Sequence, residues 1–98
     1  MQNISTLHHQ IIGDFTSQKA MEVKNSLSNL IEKGNANLSI DCTNVSDVDV
    51  VGINALAVIY KQLRSKKGIL TILLKKDSHL SKMLHLTKFN KIFTLTYQ

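Results

Sequence analysis

The chain has 98 residues, 43% of them hydrophobic and 19% charged, which is the size and make-up of one globular domain spanning 1–98 and far from that of a disordered chain. Its single cysteine, Cys42, rules out an internal disulfide. The net charge of +5 admits an acidic protein, a nucleic acid or an anionic membrane as partner.

The arrangement of the positive charge narrows that choice. Lysines pair at turns, as Lys66-Lys67 and Lys75-Lys76, and Arg64 is the only arginine. Base readout favours arginine, and single-strand binding favours exposed aromatics, of which the chain has three Phe, two Tyr and no Trp. Nucleic acid is therefore not expected as a partner. The apolar runs are far shorter than the roughly 18 residues that span a bilayer, so no membrane insertion is expected. The start, Met-Gln-Asn-Ile-Ser-Thr, has no basic region followed by an apolar stretch, and a cytoplasmic location is expected.

In chain order, residues 3–12 read as an irregular strand and Gly13-Asp14-Phe15 as a turn. A hydroxyl of Thr16 or Ser17 is placed to cap a helix in which Ala20, Val23, Leu27, Leu30 and Ile31 recur at helical spacing, with Gly34 as its stop. Leu38 to Cys42 alternates apolar and polar residues and predicts a strand. Thr43 to Asp49 reads as a polar loop, with Asp49 as the cap of a second helix carrying Ile53, Leu56, Ile59, Tyr60 and Leu63. Ile69 to Leu74 is nearly all apolar, the pattern of a central strand covered on both faces. Asp77-Ser78 caps a third helix, and Phe89 to Leu95 reads as a helical turn and an edge strand.

Alternating strands and helices predict an α/β fold with parallel strands joined by right-handed crossovers. Functional positions in such sheets gather past the carboxyl ends of the strands. The most acidic of these segments, 43–49, is where a site is expected.

Known chemistries fit that segment poorly. With Asp47 and Asp49 as first and third ligands of a calcium loop and Gly52 as its turn, the fifth and twelfth positions are Val51 and Val58, which cannot ligate. A phosphate-accepting receiver needs an acidic pair ending the first strand, where Ile11-Ile12 stands. The histidines at 8, 9, 79 and 85 have no strong metal spacing, and Cys42 reads as core packing. No phosphate-cradling glycine loop or nucleophile elbow is present. Neither an enzymatic activity nor a cofactor is expected.

Five stretches together resemble the STAS domain family, the fold of bacterial anti-sigma factor antagonists and of the cytoplasmic tails of sulfate transporters. They are Gly13-Asp14-Phe15, Leu38 to Val45, Val48 to Leu56, Lys67-Gly68 before an apolar strand, and Leu84 to Phe93. The third resembles the family's Asp-Ser-Ser-Gly-Leu block. In regulated members the residue before that glycine is a serine or threonine that a partner kinase phosphorylates; here it is Val51, preceded by Val50, and neither accepts a phosphate.

The resemblance implies a single α/β domain with a mixed, mostly parallel sheet and helices mainly on one face. It also implies a non-enzymatic binding module for an anti-sigma factor or switch kinase, acting without phosphorylation at the usual site. Asp47, Asp49, Val50, Val51, Gly52 and Asn54 would form its docking patch. Asp49 would cap the helix, Gly52 would allow close approach, and one of the two valines would pack beneath the helix. Control would lie with the partner's own state, or with Ser46 or Thr43 upstream. The alternative implied is an accessory subunit clamped to the ATPase of a lipid-transporting ABC complex.

Overall fold

The computed structural model describes residues 6–98. Four strands, β1 (Leu7–Phe15), β2 (Asn37–Val48), β3 (Ile69–Leu74) and β4 (Thr94–Tyr97), alternate with helices α1 (Ser17–Glu32), α2 (Val50–Ser65) and α3 (His79–Leu86). A 3₁₀ turn, Phe89–Lys91, precedes β4 as the sequence suggested. The strands lie in the order β1-β2-β3-β4, and the pairings among the described residues are all parallel. Because each crossover steps the same way across the sheet, right-handed connections lay the helices on one face, as expected.

The burial of β3 records that one-sidedness. Leu70, Ile72 and Leu74 are buried, whereas Ile69, Thr71 and Leu73 on the other face keep solvent contact. This corrects the expectation of a strand covered on both faces: the apolar run Ile69–Leu74 looks central, but only alternate residues meet a helix. The core is built from Ile11 and Phe15, Leu27 and Ile31, Ile40 and Cys42, and Leu56, Ile59 and Leu63 of α2. Tyr60 of α2 meets Phe93 at 5.4 Å between ring centroids, and Phe93 stacks on Phe89 at 5.2 Å, joining the chain's last turn to the helical layer.

Two segments expected to be loops are strand. Gly13-Asp14-Phe15 continues β1, and Thr43 to Val48 continues β2 beside it, with Gly13 against Val45 and Phe15 against Val48. The continuation needs two register shifts, at Gln10/Ile12 and Gly13/Asp14. Gly13, at φ 81°, supplies the left-handed backbone that such an irregularity takes. Of the stretch read as a strand from residue 3, residues 3–5 lie outside the described residues; the strand proper begins at Leu7.

Candidate functional site

The long second strand carries its last residues well past β3 and delivers the chain directly into α2. Asp49 stands at this junction as the N-cap of α2. One carboxylate oxygen accepts the Gly52 N–H at 2.9 Å. The other accepts the Ser17 N–H at 3.1 Å and the Ser17 hydroxyl at 3.4 Å. One side chain therefore holds the first turns of two helices.

This explains a departure at α1. Thr16 occupies its N-cap position, but its hydroxyl makes no capping bond; the expected local cap is replaced by Asp49 from another element. Ser17 takes φ 46°, a left-handed backbone unusual for a residue with a Cβ, and both its polar groups there face Asp49. These contacts, the Gly52 N–H first, hold the Asp49 carboxyl below its ordinary pKa.

Asp47 is also engaged. It lies opposite Asp14 in the register of β1 and β2. His79, the first residue of α3, sets its ring Nδ1 2.6 Å from Asp47 Oδ1. Asp41, further down β2, accepts from Thr43 through both hydroxyl (2.6 Å) and backbone N–H (2.9 Å), which lowers its pKa. Cys42 beside it is buried, and burial pushes its thiol up to about 12, so it packs the core as an unreactive thiol.

Gly52 is buried, not presented to a partner. A Cβ there would stand 2.3 Å from the Phe15 carbonyl oxygen and 2.8 Å from a Val48 methyl. The close approach it allows is internal, between the first turn of α2 and the end of β1.

Two apolar side chains also face outward here. Val50 is 65% exposed and Val51 37%, so neither valine is packed beneath the helix as expected for one of them. Val51, Asn54, Ala55 and Val58 line one side of a shallow cleft of about 110 Å³, and Met21 and Lys24 of α1 line the other. Met21 and Val58 are themselves exposed. Helical spacing of 51, 55 and 58 was visible in the sequence, but Met21 was not singled out, because only the packing of α1 against α2 brings it there. Ser46 is exposed on β2, where the register between β1 and β2 shifts, and Thr43 is half-buried and tied to Asp41. Among the described residues no three His, Cys, Asp or Glu side chains gather as a metal site would require.

The STAS domain model matches residues 2–98. The chain belongs to the STAS domain family. Two solved structures share its fold. A Thermotoga maritima protein with the provisional designation anti-sigma factor antagonist superposes with a TM-score of 0.81 at 16% identity, over 91% of this chain and 77% of its own. The anti-sigma factor antagonist SpoIIAA in its unphosphorylated form superposes with a TM-score of 0.78 at 15% identity, over 100% of this chain and 84% of its own. At these identities the likeness is one of fold. No curated protein matches the sequence significantly. In this STAS domain, the block that resembles the family's Asp-Ser-Ser-Gly-Leu segment is the one that starts α2 at Asp49.

Proposed function

We propose that this domain is a non-enzymatic docking module that binds an anti-sigma factor or a related switch kinase through the first turn of α2 and the adjoining α1–α2 cleft. The observation that carries this is the exposure of Val50 and Val51 side by side on a rigidly capped helix start, continuous with Met21 and Val58. Clustered solvent-facing aliphatic residues on a well-held helix are what a partner's apolar surface covers, and the solved structures sharing the fold are named for antagonism of anti-sigma factors.

Asn54 contacts the partner beside the valines. Asp47 and Asp49 act one step back, because their oxygens already hold His79, Ser17 and the α2 amides. Val51 cannot accept a phosphate, so the complex is not released by modification there, and Ser46 is the exposed hydroxyl left for control. The domain works as a cytoplasmic protein without a cofactor.

The test is a pull-down from the native cell with wild type and Val50→Asp. A sigma regulator or kinase-like ATPase retained by the wild type and lost with Val50→Asp supports the proposal. A charge forced into an apolar contact weakens binding by about tenfold or more. Retention of an ABC ATPase instead assigns the domain to a transport complex, and unchanged binding by Val50→Asp removes this patch from the interface.

A further inference from the structure

The opposite end of the molecule has a different character. In a sheet whose strands are all parallel, the turns from each helix into the next strand collect at the amino ends of the strands. Here these turns are residues 33–36, 66–68 and 87–93. Lys33, Lys66, Lys67, Lys88 and Lys91 lie in them, and no Asp or Glu does. Beyond residue 60 the chain's only carboxylate side chain is Asp77, which sits at the other end, before α3.

Cations near helix carboxyl ends complement the helix dipole, and Lys66 does so directly, its Nζ donating to the Ile31 carbonyl at 3.1 Å. That accounts for one lysine. Among the described residues none of the five pairs with a carboxylate. Nor does the dipole account for the apolar side chains placed among them. Leu86, the last residue of α3, is 78% exposed, and Ile69 and Ile92 are exposed beside the same turns. Leu80 and Leu84 turn into the core, so Leu86 lies on the outward side of α3 in line with Lys82 one turn earlier.

We infer that this end is a peripheral docking surface for an anionic lipid bilayer. Lysines spread over three separate turns suit a diffuse sheet of negative charge; a single acidic group would call for a converging arginine fork. Isolated Leu and Ile side chains exposed beside the same turns suit the boundary of headgroups and acyl chains. Among the described residues no helix is long and apolar enough to cross a membrane, so the contact is adsorption at the surface. The first turn of α2 lies at the far end of the strands, so a domain adsorbed this way leaves its valine patch facing the aqueous phase. The inference does not depend on the identity of the protein that binds that patch.

The experiment is co-sedimentation of the full chain with phosphatidylcholine vesicles, with and without phosphatidylglycerol, at low and physiological salt. Wild type is expected to pellet only with the anionic vesicles and to be released as salt rises. Lys88→Gln/Lys91→Gln removes two surface charges and is expected to lower partitioning by roughly twenty-five-fold, at about fivefold for each lysine. Leu86→Ser leaves the charge unchanged and is expected to lower it several-fold, while the circular dichroism spectrum of both variants stays that of the wild type. Failure of the wild type to pellet with anionic vesicles overturns the inference. So does binding that neither variant weakens, or binding to a poly-glutamate peptide without binding to the vesicles, which would mark the end as a site for acidic polypeptides.

Discussion

The two ends of this domain spend their charges differently. At the carboxyl ends of the strands two carboxylates are engaged internally: Asp49 holds Ser17 and Gly52, and Asp47 holds His79. Val50 and Val51 stand exposed beside them. At the amino ends Lys66 is occupied, while the other turn lysines are exposed, as are Leu86 and Ile92. A residue's charge therefore does not say whether it is available to a partner. What decides is whether a helix end or a neighbouring carboxylate already uses it.

The contrast breaks most readily at the glycines that let each end close. A Cβ on Gly68 would lie 1.8 Å from the Ala36 carbonyl oxygen, against 2.3 Å from the Phe15 oxygen for Gly52. Both neighbours are backbone and cannot swing aside. Gly68→Ala is expected to cost about 3 kcal/mol or more of stability, and Gly52→Ala somewhat less, as read by urea unfolding. If Gly68→Ala unfolds like the wild type, the turn at the basic end is not packed as described.

Asp49→Ala comes next, because it frees amides at two helix starts. It is expected to lower Tm by several degrees. Asp49→Asn, which keeps a capping oxygen but not the charge, should cost less. The sign with pH follows from the direction of the shift. The folded carboxyl titrates below the ordinary carboxylate range, so its stabilisation is fully present above the unfolded pKa and is lost as pH falls through the lower folded value. Stability of wild type and Asp49→Asn should therefore converge in acid and separate near neutrality. Parallel curves would mean that the carboxylate charge does not favour the folded state; Asp41→Asn serves as the comparison, since Asp41 is shifted the same way by Thr43.

The smallest effects should come from the exposed apolar residues themselves. Val50→Asp and Leu86→Ser are each expected to change folding stability by no more than about 0.5 kcal/mol. That small effect on folding is what sharpens the comparison, because a loss of partner binding in the first, or of vesicle binding in the second, then reports on a surface. A large drop in Tm for either would show that the side chain supports the fold.

Much of the fold was legible from short-range patterning. Helical spacing located α1 and α2, Asp49 and Ser78 announced their helices as caps, and the alternation of elements implied a parallel sheet. The misreadings share a cause. Polar residues such as Thr43, Asn44 and Ser46 carry loop chemistry, yet the backbone they belong to is held extended by β1, a partner many residues away. In the same way Thr16 had the chemistry of a cap, but the bond went to Asp49, 32 residues from Ser17.

The sequence by itself determined the element types, most of the core and the absence of a hydroxyl at Val51, because these rest on side-chain identity and on spacings of two to four residues. Only the tertiary structure decided which faces stay open, that Gly52 is sealed against Phe15, that Met21 joins Val51 and Val58 in one cleft, and that the turn lysines share one end. Those properties depend on contacts between segments far apart in the chain, and no local pattern encodes which surfaces such contacts leave uncovered.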